Sequence, residues 1–173
     1  MGRGGAKPDF RWSGGVPAVD WLQMKMFRLE RELFLPRPRA EIFPFFAAAE
    51  NLERLTPEFL KFRIVTPVPV EMRSGARIEY RLKIHGFPVR WLTEIEEWDP
   101  PRRFVDVQLR GPYRRWHHTH TFEERDGGTL CRDEVEYAPI GGALVNRLFV
   151  RRDVERIFAC RRERLLEIFP PMS

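Results

Sequence analysis

At 173 residues, with 43% hydrophobic and 32% charged residues, the chain has the size of one globular domain with a substantial core. Its net charge of +5 invites a nucleic-acid or anionic-membrane partner. However, basic and acidic residues alternate, for example over residues 28–32 and 161–164, and mixed charge of this kind usually solvates a surface. We therefore expect no nucleic-acid partner.

Features that would direct the chain to a membrane or an oxidising compartment are missing from the sequence. No run of about 18 apolar residues occurs, so no transmembrane segment is expected. Residues 1–5 lead into no apolar stretch typical of a secretory signal. Cys131 and Cys160 form neither a metal-ligand spacing nor a disulfide framework. The sequence predicts a cytoplasmic protein.

The N-terminal residues 1–25 contain Gly, Pro and isolated aromatic residues without a sustained period, which is typical of a flexible extension. Regular alternation begins beside Met26. We therefore expect one domain over residues 26–170, with Met24 or Met26 as a candidate physiological start.

From residue 27 onwards, the periodicity predicts one strand, two short helices and a series of strands separated by Pro and Gly. The predicted ranges are 27–35 for the first strand, 39–49 and 50–55 for the helices, and 61–66, 76–85, 89–98, 103–110, 116–122 and 129–137 for the later strands. Residues 142–169 have a helical period and predict one long amphipathic helix. Its buried face should contain Leu148 and Ile157, while Arg151 and Arg162 should be exposed.

The most informative segment is the histidine-containing strand. Because side chains alternate along a strand, Trp116, His118, His120 and Phe122 share one face. This pattern places two imidazoles between two aromatic residues on an interior face.

A tight hairpin turn is predicted after this strand. If the Asp-Gly pair at residues 126–127 forms a two-residue turn, His120 lies opposite Asp133 and His118 lies opposite Val135. The result is a polar spot in an apolar wall, which suits a pocket for a mostly apolar ligand with one or two polar groups.

Two further roles are open to the histidines. His118 and His120 can ligate zinc or iron, with Asp133 as the nearest third ligand. His120 and Asp133 can instead form a general-base pair, although the sequence offers no nucleophile beside them. A structural or ligand-orienting pair bonded to Asp133 explains the pattern more simply, so we expect no metal and no cofactor.

Aromatic residues on the predicted strands can stack on a planar ligand or form ordinary core. They are Trp91, Trp98, Trp116, Tyr80 and Tyr137. Asp106 lies on the face of its strand opposite to that of Val105, and in this register it would be exposed. A one-residue shift at the turn over residues 111–112 would reverse this and set Asp106 against His118.

Basic residues on the last helix and at the start of the histidine-containing strand offer a docking patch for a membrane surface or an RNA-rich partner. Neighbouring acidic residues favour an ordinary solvated face instead. The basic residues are Arg114, Arg115, Arg147, Arg151 and Arg152, and the acidic ones are Asp153 and Glu155.

The element order and three motifs resemble the START-like, or helix-grip, SRPBCC superfamily over about residues 27–169. The motifs are Gly-Pro-Tyr-x-x-Trp-x-His-x-His-x-Phe at residues 111–122, Gly-Gly-Thr at 127–129, and Asp-x-x-x-Tyr-x-Pro at 133–139. This superfamily includes bacterial polyketide cyclases, coenzyme Q-binding START proteins and plant Bet v 1-like proteins. The resemblance implies an α+β fold in which a curved antiparallel sheet wraps around a long C-terminal helix and encloses a hydrophobic cavity.

The combined expectation is binding of a hydrophobic or amphipathic molecule, such as a lipid, quinone or polyketide, between sheet and helix. The predicted ligand-binding residues are Tyr80, Trp91, Trp116, His118, His120, Phe122, Asp133 and Tyr137. One alternative is a cyclase or dehydratase that uses His120 and Asp133. The other is a basic interaction module with peripheral membrane contact.

Overall fold

The protein, described as a computed structural model over residues 24–171, has seven antiparallel strands in one sheet. The extension predicted over residues 1–25 therefore lies almost wholly outside the described residues. The strands are β1 (Phe27–Leu35), β2 (Arg63–Ile64), β3 (Arg77–Ile84), β4 (Phe87–Asp99), β5 (Arg103–Arg110), β6 (Tyr113–Arg125) and β7 (Gly128–Pro139). Their order across the sheet is β1-β7-β6-β5-β4-β3-β2.

Two short helices, α1 (Arg39–Ala47) and α2 (Asn51–Leu55), and a 3₁₀ turn (Glu58–Leu60) connect β1 to β2. A C-terminal helix follows the sheet and is made of α3 (Gly142–Val145), a π-helical turn (Asn146–Val150) and α4 (Arg151–Ile168). The predicted helix-grip architecture is confirmed. No helix in the described part of the chain is both long and apolar enough to cross a membrane.

The hairpin between β6 and β7 has the predicted turn and register. Asp126 and Gly127 have positive φ angles of 49° and 77°, as a two-residue hairpin turn with a right-handed strand twist requires. His120 consequently pairs with Asp133, and His118 pairs with Val135.

The hairpin between β3 and β4 turns earlier than predicted. His85 and Gly86 occupy the turn with positive φ angles of 50° and 85°. Strand β4 therefore begins at Phe87, two residues before its predicted start at residue 89. Gly86 supplies the conformational freedom that the second turn position needs.

Of the two placements that the sequence left open for Asp106, the structure has the inward one, because this residue pairs with His118 on the inner face of the sheet. Its side chain is 16% exposed. Phe104 and Val105, on opposite faces of β5, are both buried, so alternation of apolar residues does not define the inner face here. Strand β4 also contains two register shifts next to β5, which simple alternation does not reveal.

The C-terminal helix buries Val154, Phe158 and Leu165 against the sheet, at spacings of four and seven residues. Ile157 is half-buried and Arg162 is exposed, as predicted. Leu148, however, is 53% exposed, so its predicted burial is wrong. Hydrogen bonds in the π-helical turn span one more residue than those of an α-helix. This change rotates the side chains of the preceding segment relative to those of α4.

Candidate functional site

A cavity of about 570 Å³ lies between the inner face of the sheet, the two short helices and the C-terminal helix. Its walls are mainly aliphatic and aromatic, as in most small-molecule sites. The sheet contributes Ile78, Tyr80, Leu82, Trp91 and Trp116, while α4 contributes Ile157 and Phe158. The predicted cavity between sheet and helix is therefore present.

One wall of the cavity is a packed group of aromatic rings. Tyr80 and Trp91 stack with their ring centres 5.8 Å apart, and Trp116 meets Trp91 edge to face at 5.3 Å. Trp91 Nε1 donates a hydrogen bond of 3.0 Å to Thr93 Oγ1, and the Tyr80 hydroxyl lies 2.9 Å from the same oxygen. Because Thr93 satisfies both polar atoms, the rings can present apolar surface to a ligand.

A histidine–aspartate cluster is made of Asp106, His118, His120 and Asp133, and its members other than Asp133 form the polar part of the wall. His118 Nε2 lies 2.9 Å from Asp133 Oδ1, and His120 Nε2 lies 3.0 Å from Asp106 Oδ2. The other two nitrogens complete the pattern, with His118 Nδ1 3.5 Å from Asp106 Oδ2 and His120 Nδ1 2.8 Å from Asp133 Oδ1. Both imidazoles thus bridge the two carboxylates.

The His120 Nδ1 contact is an ion-pair contact without hydrogen-bond geometry. This buried nitrogen has no hydrogen-bond partner in the described chain despite its short distance from Asp133. The two imidazole rings lie side by side, with centres 3.8 Å apart. His120 also stacks on Phe104 at 4.2 Å, which fixes the plane of its ring.

Arg161 on α4 completes the electrostatic environment. Its guanidinium lies 3.8 Å from Asp133 Oδ1, and both side chains are largely buried. Burial opposes ionisation of Asp133, but Arg161 and the two imidazoles outweigh it and hold the Asp133 pKa well below its ordinary value. Burial likewise opposes ionisation of Asp106, but His118 and His120 outweigh this effect and lower the pKa of Asp106.

The two imidazoles have different protonation preferences. Burial and the neighbouring His120 lower the pKa of His118. Burial also disfavours protonated His120, but contacts with Asp106 and Asp133 outweigh this and raise the pKa of His120. When His120 is protonated, its imidazolium and the Arg161 guanidinium balance the two carboxylates.

The predicted ligand-binding residues divide into two groups. Tyr80, Trp91, Trp116, His118 and His120 line the cavity, whereas Phe122, Asp133 and Tyr137 do not. Phe122 packs in the core against α1, Asp133 lies behind the imidazoles, and Tyr137 packs beside Leu29 and Val154.

Asp106, Thr93 and Arg161 join the site without having been predicted as members. The helical spacing contains a signal for Arg161, since it lies four residues from both Ile157 and Leu165 on the apolar face of α4. A charged residue at such a position requires a buried partner. For Asp106, the sequence offered the inward placement against His118 only as the alternative register, and the observed pairing is that alternative.

Cys131 is expected to resist thiol reagents in the folded protein. Burial raises the pKa of its thiol to about 12, and only the thiolate is reactive. Cys160 is half-buried on α4 and should take up a maleimide first. Peptide mass spectrometry after brief native labelling tests this difference, and a Cys160→Ser variant should take up almost no label. Rapid native labelling of Cys131 would contradict the described packing.

At one end of the cavity, the β3–β4 turn meets the C-terminal helix. His85 Nε2 lies 2.7 Å from Asp153 Oδ2, and the His85 ring contacts Phe149 with centres 6.0 Å apart. Exposed apolar side chains occur on these same elements. They are Phe87, Leu144, Leu148 and Phe149.

A curved antiparallel sheet, a covering C-terminal helix and a cavity between them define the class of helix-grip proteins that hold small molecules inside the fold. The family model described as "Polyketide cyclase / dehydrase and lipid transport" matches residues 35–159. The chain belongs to this family.

Solved structures share the fold at low sequence identity. The aromatase/cyclase ZhuI from Streptomyces sp. R1128 is 15% identical, with a TM-score of 0.66 over 83% of this chain and 93% of its own. The protein TTHA0849 from Thermus thermophilus is 23% identical, with a TM-score of 0.62 over 82% and 98%. The major latex-like protein 151 from Panax ginseng is 10% identical, with a TM-score of 0.62 over 84% and 99%. A comparison with curated proteins found no match.

Proposed function

We propose that the protein binds an amphipathic molecule with an aromatic or polycyclic body and a hydroxyl group at one end. The observation that carries this proposal is a cavity of about 570 Å³ whose apolar wall is interrupted by one buried polar cluster. The aromatic wall formed by Tyr80, Trp91 and Trp116 suits a flat body, which can stack on or meet the rings edge to face.

The cluster supplies a specific acceptor for the polar end. Asp106 lines the cavity, and its contacts with His118 and His120 both use Oδ2. Asp106 Oδ1 is thus the oxygen that we assign to a ligand hydroxyl. A charge-assisted hydrogen bond of this kind contributes about 1.5 to 3 kcal/mol and selects hydroxyl-bearing molecules over plain hydrocarbons.

Apolar burial supplies most of the expected affinity. Removing about 200 Å² of apolar ligand surface from water contributes roughly 5 kcal/mol. Part of this gain is lost to the ordering of ligand and side chains. The net free energy of binding therefore favours aromatic ligands, because their rigid bodies lose little conformational freedom on binding.

Narrowing the cavity should weaken ligand binding without disrupting the fold. Leu82 lines the cavity and is 7% exposed, so Leu82→Trp extends a bulky ring into the empty space. We expect the Kd of the fluorescent probe anilinonaphthalene sulfonate to rise at least tenfold, which is about 1.4 kcal/mol. Fluorescence titration measures this change, and native mass spectrometry of freshly purified protein identifies any natural occupant.

The matched control for this experiment is Leu148→Trp. Leu148 is 53% exposed on the outer side of the C-terminal helix, so the same substitution there should leave the Kd unchanged. Equal Kd values for both variants and the unaltered protein would place the probe outside the cavity and contradict the proposal.

Acid–base catalysis is a second candidate function, favoured by the opposite pKa shifts of His118 and His120 beside the cavity. In a dehydration, neutral His118 would remove a proton next to a carbonyl as a carbon–carbon double bond forms, and protonated His120 would donate its proton to the departing hydroxyl. One water molecule is released, and the base and acid exchange their protonation states. Incubation of the identified ligand with the protein should then yield a product lighter by one water, whereas unchanged ligand favours binding alone.

A further inference from the structure

Three potential ligand atoms converge at the edge of the cavity. They belong to Asp106, His118 and His120, and all lie within 4.8 Å of one another. Asp106 Oδ2 is 3.5 Å from His118 Nδ1 and 3.0 Å from His120 Nε2. Two ligands about 2.1 Å from one metal ion, at angles of roughly 90° to 110°, are about 3.0 to 3.4 Å apart. The 3.0 Å separation falls within this range, and the 3.5 Å separation exceeds it by only about 0.1 Å.

We propose that Asp106, His118 and His120 bind one divalent transition-metal ion at this position. Two imidazoles and one carboxylate form a donor set suited to zinc or ferrous iron, with the remaining coordination positions open. All three residues line the cavity, so those open positions face the space assigned to the ligand. The metal site does not require that an organic ligand be bound.

The opposite nitrogen of His118 has the hydrogen-bonded partner expected around a metal, and that of His120 lies beside the same carboxylate without hydrogen-bond geometry. His118 Nε2 and His120 Nδ1 lie 2.9 Å and 2.8 Å from the same atom, Asp133 Oδ1. Metal-bound histidines regularly place their other ring nitrogen beside a carboxylate or carbonyl, which fixes the ring orientation. A metal at Asp106 would leave Asp133 in this outer position.

The position of Arg161 distinguishes the two carboxylates. Its guanidinium pairs with Asp133 at 3.8 Å, while Asp106 has only imidazoles among its ion-pair partners in the described chain. The metal ligand is therefore Asp106, in place of Asp133, which the sequence suggested as the nearest third ligand. With neutral imidazoles, the two carboxylates and Arg161 carry one net negative charge, which favours binding of a cation.

Cobalt binding provides a direct test. The full-length protein is stripped with EDTA and titrated with Co²⁺, whose visible absorption reports nitrogen and oxygen coordination. We expect saturation at one ion per chain and a rise in Tm with added Co²⁺. Asp106→Asn should raise the Kd for Co²⁺ at least about tenfold and remove most of the Tm shift.

His117→Ala is the matched control. His117 lies on the opposite face of the same strand, with its Nε2 3.3 Å from Glu96. This variant should bind one Co²⁺ with unchanged affinity. Loss of binding in His117→Ala, retention of full affinity in folded Asp106→Asn, or no saturable binding by the unaltered protein would each overturn the proposal.

If circular dichroism shows that the Asp106→Asn variant does not fold, X-ray absorption of the zinc-loaded, unaltered protein tests the proposed metal ligands instead. Two imidazole ligands and additional oxygen ligands support the site. One imidazole or none overturns it. Probe binding in the cavity is measured separately, so failure of the metal proposal leaves the proposed ligand-binding function open to its own test.

Discussion

Replacement of Arg161 by methionine is expected to lower the free energy of unfolding by about 3 to 5 kcal/mol. Its guanidinium lies 3.8 Å from buried Asp133 Oδ1, and it also lies over the Phe46 ring at 5.2 Å. Methionine preserves much of the packing volume but leaves the two carboxylates with insufficient positive charge. Urea unfolding monitored by tryptophan fluorescence measures the change.

Arg162→Met is the control for this prediction. Arg162 is the next residue on α4 and is exposed, so its replacement should change the free energy of unfolding by no more than about 0.5 kcal/mol. Similar effects of the two substitutions would mean that Arg161 does not compensate the buried carboxylates.

Phe43→Ala is expected to destabilise the protein by about 3 to 5 kcal/mol, because it opens a void in a well-packed aromatic core. Phe43 is 5% exposed and links α1 to the sheet. Its ring centre lies 5.4 Å from those of both Trp98 and Phe122. The measurement is the urea midpoint at constant m-value.

Phe87→Ala removes the same side chain from the β3–β4 hairpin, where Phe87 is 73% exposed. This control should cost much less stability, since little buried apolar surface is lost. An equal loss in both variants would contradict the description of α1 as a packed cover over this end of the sheet.

Local sequence chemistry is sufficient to predict the hairpin that carries the histidines. The Asp-Gly turn fixes the register, and the register brings His120 opposite Asp133. Turn geometry and two-residue periodicity operate over a few residues, so they can be read from one sequence. The same applies to the first strand, whose observed range Phe27–Leu35 is the predicted one.

Other parts of the site depend on contacts between distant elements. Asp106 faces inward because of how β5 pairs with its neighbours, and the irregularities in β4 are invisible to alternation. Leu148 is exposed because a π-helical turn changes the phase of the helix. Arg161 could have been recognised as unusual from its helical position, but its partner Asp133 follows only from the packing of α4 on the sheet.

The contact between His85 and Asp153 has a consequence for the rate of ligand exchange. It joins the β3–β4 turn to the C-terminal helix, and His85, Gly86 and Asp153 all border the cavity. A bulky molecule that passes between these elements must first separate them, and that separation adds to the barriers for entry and exit alike. Bound ligand would then have a long residence time even where its equilibrium affinity is modest, since a barrier common to both directions slows exchange without changing Kd.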